Sequence, residues 1–327
     1  MYGLKDLKPT LKIDENSVEC PVKGCSRKVE RQRISFKKEQ KYQCPVHNIY
    51  ISKSTFEYES ENDNLLWTDT ADRLLYNEIL KVKRESRIAR DNSEDALTWN
   101  VMRFLDKQNL LPEFLSKVSK KVILKAELIL WSYSKNEAEM FPKENSGWSL
   151  LNNARKEFGE IVSRGSEPDI IILTDKVLYF IEAKLQMNNR STPSDLSNKK
   201  NYETGGANLF QQIFKSKCDF NTIAINEKQY ELMRFWLLGS WIAKQLGLSF
   251  KFYGLVMNSR DKQLESEFGN HIIETSERKF SRMTWEQIYK FIQSTPDSKE
   301  KQVMTDYFIN KTVGYNSSNK LVKAFDI

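Results

Sequence analysis

Glu167-Pro168-Asp169-Ile170-Ile171-Ile172-Leu173-Thr174-Asp175-Lys176-Val177-Leu178-Tyr179-Phe180-Ile181-Glu182-Ala183-Lys184 is the stretch on which the fold turns. Two apolar, β-rich runs, Ile170 to Leu173 and Val177 to Leu185, flank Thr174-Asp175-Lys176, which reads as a hairpin. Folding back over two or three turn residues sets Asp169 opposite Phe180 or Ile181, within one or two positions of Glu182. Glu182 and Lys184, two apart on one strand, project to the same face. Two carboxylates and a lysine thus converge at the end of a mostly buried hairpin. Carboxylates that close repel each other unless a hard cation separates them, and oxygen ligands suit Mg²⁺. Such an ion lowers the pKa of a bound water and stabilises charge on a phosphodiester under attack. Lys184 is suited to orient or deprotonate that water, or to neutralise the phosphate. A plain ion pair at a strand end accounts for the same residues. An inward Glu and Lys within Val177 to Leu185 favours the site.

Outward from the hairpin, Ala126 to Tyr133 reads as a strand and Ser146 to Phe158 as a helix, with Trp148, Leu151 and Phe158 apolar. Downstream, Gln186 to Ala207 is a polar loop suited to gripping DNA, and Gly205-Gly206 marks a turn. Helices are expected over Asn208 to Lys217 and Glu227 to Leu246, a strand over Phe250 to Met257, and a short final helix from Thr284-Trp-Glu-Gln287. Upstream, Leu65 to Arg90 has a helical period. Lys83, Arg87 and Arg90 then fall on one face, where they either follow a phosphate strand or complement the helix dipole. Asp91-Asn-Ser93 breaks the run, and a second helix carries Leu97, Val101, Phe104 and Leu105 inward. Glu94 starts that helix on its inward side, either as a capping residue paired with Asp91 or as a buried carboxylate that needs a cation.

The amino-terminal region has its own chemistry. Cys20-Pro-Val-Lys-Gly-Cys25 and, 18 residues on, Cys44-Pro-Val-His47 form two knuckles with ligands for tetrahedral zinc. Gly24 permits the tight backbone of such a knuckle. A hairpin of Lys28-Val29-Glu30 with Ile34-Ser35-Phe36 is expected between them. A module this small has no sufficient core, and a closed zinc site supplies about 10 kcal/mol or more of folding energy. Lys23, Arg27, Lys28, Arg31, Arg33, Lys37, Lys38 and Lys41 surround it against Glu30 and Glu39, as a nucleic-acid clamp or as a solvated face. Cys218 is left over as a small buried residue.

The chain has 327 residues, enough for about two domains by the usual ~150 residues each. The expected division is a zinc ribbon over 1–60 and an α/β domain with a helical amino-terminal extension over 61–327. Lys plus Arg outnumber Asp plus Glu by 51 to 44, a net charge of +7 that favours an anionic partner. With two histidines, His47 and His271, histidine-based hydrolysis or a histidine-based nuclease site is starved. No G-x-x-x-x-G-K-[ST] or G-x-G-x-x-G stands among the 12 glycines, which argues against an ATP motor or a dinucleotide site. With no apolar run of membrane length and no signal-peptide core, a soluble, cytoplasmic protein without a membrane partner is expected.

Pro168-Asp169 followed by Glu182-Ala183-Lys184 resembles the PD-(D/E)XK phosphodiesterase superfamily of restriction-endonuclease-like enzymes. The zinc knuckles, Ser54-Thr-Phe-Glu-Tyr58, Asn64-Leu-Leu-Trp67 and Arg90 to Trp99 are similar to bacterial members of it, a likeness spanning about Cys20 to Trp285. The resemblance implies a central mixed sheet flanked by helices, a mixed α/β core, preceded by a small zinc ribbon. It implies an endonuclease that hydrolyses DNA with Mg²⁺ or Mn²⁺ in restriction or phage defence. Asp169 and Glu182 would be metal ligands and Lys184 the catalytic lysine. Many members add an acidic residue from the first core helix, for which Glu94 is the choice and Glu157 the rival. Gln211 or Gln212 matches a glutamine some members carry after the motif. DNA, a homodimeric second copy and a regulatory or defence-system protein are the partners so implied. The competing readings are a non-catalytic nucleic-acid-binding protein with a structural acidic hairpin, and a nuclease acting on RNA or branched DNA.

Overall fold

The computed structural model describes residues 7–33, 36–52, 55–82, 87–134, 148–161 and 167–327. They divide into two compact units interleaved along the chain, Met1–Asp69 with Glu85–Phe104 and Trp285–Ile327, and Thr70–Arg84 with Leu105–Thr284. The units do not follow a boundary at residue 60, because the carboxyl-terminal segment closes on the amino-terminal one. Leu321 donates its amide to the Pro9 carbonyl at 2.7 Å, and Leu11 to that of Asn319 at 2.9 Å.

In the first unit, β1 (Ser17–Glu19) pairs antiparallel with β2 (Lys28–Glu30), Val18 opposite Val29. The expected partner of β2 was Ile34 to Phe36, of which Ile34 and Ser35 lie outside the described residues. The cysteine knuckle itself makes the turn instead: the Cys20 amide donates to Arg27 and the Cys25 amide to Val22. A second small sheet runs β3 (Gln43–Cys44), β4 (Ile49–Ile51), β5 (Phe56–Tyr58), all antiparallel. Val18, Val29, Ile49, Ile51 and Phe56 bury together with the three cysteines as one core.

The helix Glu94–Lys107 begins in this unit. Ser93 rather than Asp91 caps it, its hydroxyl accepting the Ala96 amide at 3.1 Å. Asp91 is buried and accepts from the hydroxyls of Tyr58 and Thr312. Burial pushes its carboxyl up, with Lys311 opposing.

The second unit is built on a sheet in the order β11-β10-β9-β8-β6-β7. Its strands are β6 (Ala126–Leu130), the two-residue β7 (Tyr133–Ser134), β8 (Ile170–Thr174), β9 (Val177–Ala183), β10 (Ser249–Val256) and β11 (Arg278–Thr284). β6 to β9 pair antiparallel, while β9, β10 and β11 run parallel, so the sheet is mixed. Every residue of β9 is buried, as expected of a central strand covered on both faces. Thr174 closes the β8–β9 turn, its hydroxyl accepting the amides of Lys176 and Val177.

Helices Ser149–Glu157, Lys199–Ile213 and Tyr230–Leu246 belong to the same unit. The last is apolar nearly all round and lies on the sheet at Gly239, where a Cβ would meet the Phe250 ring at 2.1 Å. The paired glycines do make a turn, but within a helical stretch, with non-helical backbone from Gly205 to Asn208. A Cβ at Gly206 would press on Phe158 at 2.9 Å, and its φ of +59° suits glycine. The Leu65-to-Arg90 helix is shorter than expected, Thr70–Val82, and Arg87 to Arg90 form a turn. Among the described residues, no helix is long and apolar enough to cross a membrane. A final helix Lys299–Asn310 and the hairpin β12 (Thr312–Tyr315), β13 (Leu321–Lys323) complete the first unit.

Candidate functional site

Ile170 pairs with Ile181 across the β8–β9 ladder, so the next pair outward is Asp169 with Glu182. This is one step tighter than expected, because the turn consists of Asp175 and Lys176 alone. The pair sits where parallel β9 and β10 end, the edge at which open α/β sheets place ligands. Asp169 is held by both oxygens: Trp131 Nε1 donates to Oδ1 at 3.0 Å and the Ala183 amide to Oδ2 at 2.9 Å.

Glu182 is 4% exposed. Lys184 Nζ donates to its Oε1 at 2.6 Å, and Oε2 is buried with no hydrogen-bond partner. Burial pushes the Glu182 carboxyl well up, repulsion from Asp169 and Glu231 adds to this, and Lys184 opposes it. A buried acceptor without a donor beside a second carboxylate is the donor set a hard cation satisfies.

Two contributors lacked a sequence signal. Trp131 donates its backbone amide as well as its indole to Asp169, and does so from a left-handed φ of 45°. A bulky residue in that region is strained, and strain of this kind concentrates at functional sites. Glu231, in the first turn of Tyr230–Leu246, bears on Glu182 through space, with its amide fixed by the Ser191 hydroxyl at 2.9 Å.

Behind the pair lies a buried charge network. Arg234 donates Nε to Glu160 Oε1 at 2.6 Å, and the Tyr202 hydroxyl donates to the same oxygen at 2.8 Å. Arg155 reaches Glu160 at 3.7 Å and Glu167, two residues before Asp169, at 3.1 Å. Burial alone would lower the Arg234 guanidinium, but the Glu160 carboxylate more than offsets it.

The other nominated residues are distributed as follows. Glu94 stands in the first turn of Glu94–Lys107, in the first unit. Glu157 is exposed and accepts the Gly206 amide at 3.2 Å. Gln211 and Gln212 are exposed and donate to carbonyls of their own helix. Of the expected Lys83, Arg87, Arg90 helix face, Arg87 to Arg90 form a turn rather than a helix. Lys83 lies outside the described residues, and Arg90 donates to Glu57 at 3.3 Å and stacks on Phe36. Cys218 is buried, 3.5 Å from His271 Nδ1.

Cys20, Cys25, Cys44 and His47 come together with their ligand atoms within 4.8 Å of one another. Cys25 and Cys44 sulfurs are 4.0 Å apart, and His47 Nδ1 is 3.6 Å from both Cys20 and Cys44. Ligands bonded at about 2.0–2.3 Å in a tetrahedron have this spacing. The cluster can bind a metal such as zinc. Burial pushes the Cys20 thiol up.

Searches against protein-family models, curated proteins and solved structures found no match.

Proposed function

We propose that the chain is a Mg²⁺-dependent deoxyribonuclease with a PD-(D/E)XK core, cutting DNA internally in a restriction or phage-defence setting. The observation that carries this reading is Asp169 beside Glu182 at the end of buried strands, with Glu182 Oε2 lacking any partner. The order of helix, antiparallel strands bearing the motif, helix and parallel strand supports it. Asp169 and Glu182 would hold Mg²⁺ or Mn²⁺, which when bound supplies an acidified water and charge for the phosphate. Trp131 and the Ala183 amide hold Asp169 in one orientation. Lys184 brings the positive charge that a scissile phosphate requires and keeps its proton shared with Glu182. An intact Asp, Glu and Lys set speaks against a merely structural acidic hairpin. Zinc at the Cys3His cluster would be structural, since all four ligands are protein groups.

Supercoiled plasmid incubated with the chain tests this. Nicked and linear products in Mg²⁺, absent in EDTA and absent with Glu182→Ala, are expected. Cleavage by Glu182→Ala at the wild-type rate, in preparations free of contaminating nuclease, overturns it.

A further inference from the structure

The first unit contains a cavity of about 840 Å³, within the range of ligand pockets. Its walls continue from the metal knuckles: Glu30 to Arg33 follow β2 out of Cys25, and Tyr42 leads through Gln43 into Cys44. Gln32 is buried and braces the wall, donating to the Ile51 carbonyl at 3.1 Å and accepting the Lys37 amide at 2.6 Å. Three cations, Arg31, Arg33 and Lys37, and two carboxylates, Glu15 and Glu30, line it. Arg33 and Lys37 stand 3.8 and 3.7 Å from Glu15 and Glu39. Arg31 differs. Its Nη1 donates to a backbone carbonyl at 3.3 Å, and its Nε is buried with no hydrogen-bond partner.

A buried guanidinium N–H without an acceptor is costly, and an anionic oxygen is its strongest complement. Tyr42 is the one aromatic ring among the described residues that line the cavity, and the Lys41 ammonium lies 4.8 Å from its centroid. Cationic donors and an aromatic ring together suit a nucleotide, with phosphate on the guanidinium and base stacked on the ring. A paired base offers no free face to a ring in a concave site, so the nucleotide must be unpaired.

We propose that this cavity binds one unpaired nucleotide of a nucleic-acid strand, its phosphate at Arg31 and its base against Tyr42. The assignment supplies a substrate form for the nuclease reading and stands apart from it, because binding needs no divalent cation.

The test is fluorescence anisotropy of the full chain with labelled oligothymidylate and with a duplex of equal length, in Mg²⁺-free buffer. Tyr42→Ala is expected to weaken the single strand by about fivefold to a hundredfold, the range for one stacked base. Tyr42→Phe should retain binding, and duplex affinity should hold in both. Arg31→Met should weaken the single strand and flatten its log-log salt slope by about 0.7. Zinc content and melting temperature of each variant are measured alongside. If Tyr42→Ala loses its fold, Arg31→Met decides. Unchanged single-strand affinity, or equal loss on duplex, overturns the assignment. So does thymidine monophosphate displacing the oligomer at equimolar concentration, which would make this a free-nucleotide site.

Discussion

Lys184 Nζ lies 2.6 Å from Glu182 Oε1, and this lysine is the counter-charge bonded to a carboxylate that Asp169 and Glu231 both repel. One oxygen of Glu182 is therefore neutralised from within the chain and the other is left for something else. If that something is a divalent ion, the two residues separate in a titration. Asp169→Ala and Glu182→Ala should abolish cleavage and the Mg²⁺-dependent rise in melting temperature together. Lys184→Ala should lower kcat by roughly a hundredfold to a thousandfold, the scale of losing one transition-state donor, while keeping that rise. A Lys184→Ala protein at full activity would refute the lysine's role.

The Glu182 carboxyl also fixes a pH dependence. Its folded pKa is raised above the usual carboxylate value, by burial first and by Asp169 next. The native state therefore holds a proton that the unfolded chain releases. Below the unfolded value the carboxyl is neutral in both states and its stabilising contribution is complete. That contribution is lost as pH climbs through the raised folded value. Without divalent ions, melting temperature should fall over this window, and Glu182→Gln should flatten the fall and melt higher at neutral pH. Thermal scans at a series of pH values in EDTA-free, metal-free buffer check it.

Metal at the Cys3His cluster should be stoichiometric. One zinc per chain is expected by elemental analysis, and Cys44→Ser should remove it. Because Val18, Val29 and Ile49 share a core with these cysteines, the loss should loosen the first unit most. Hydrogen exchange would show it as faster amides in β1 to β5. A zinc-free preparation with unchanged exchange there would remove the cluster from the account.

The hairpin was legible because its signals are local: two apolar runs and a short turn fix Asp169 and Glu182 to within one position. The knuckles were legible for the same reason, since ligand type and spacing carry the information. Trp131, Glu160 and Glu231 were not. Trp131 looks like an ordinary strand residue until its left-handed backbone turns the indole onto Asp169. Glu160 becomes a core residue because Arg234 arrives from a distant helix and Arg155 turns back on it from the helix just before. Arg87 to Arg90 form a turn where a helix was expected, because a helical period says nothing about the tertiary contacts that compete with it. Arg90 is drawn instead to Glu57, in a bridge.

The Arg155, Glu160 and Arg234 network should behave as buried ion pairs do. Glu160→Ala removes the carboxylate held by the buried Arg234 guanidinium, leaves Arg155 on Glu167, and should cost about 3–5 kcal/mol. Replacing all three with apolar residues of similar size should cost less, because the buried Arg234 and Glu160 charges leave together. Urea titration distinguishes the outcomes. Equal costs for the single and triple variants would mean that packing, and not charge, is what Glu160 contributes.

Glu231 and Glu94 offer rival third carboxylates for the proposed ion, and substitution tells them apart. Glu231 raises the Glu182 carboxyl from the first turn of Tyr230–Leu246. Glu231→Gln should therefore ease Glu182 back toward the ordinary carboxylate range and shift the metal-free melting profile to higher pH tolerance. If Glu231 also ligates, the same substitution should raise the Mg²⁺ concentration needed for half the thermal shift by roughly tenfold, the scale of about 1.4 kcal/mol. Glu157→Gln should leave it unchanged, since Glu157 is exposed and engaged with the Gly206 amide. A Mg²⁺ midpoint that moves with Glu94→Gln and not with Glu231→Gln would return the third position to the helix nominated from sequence.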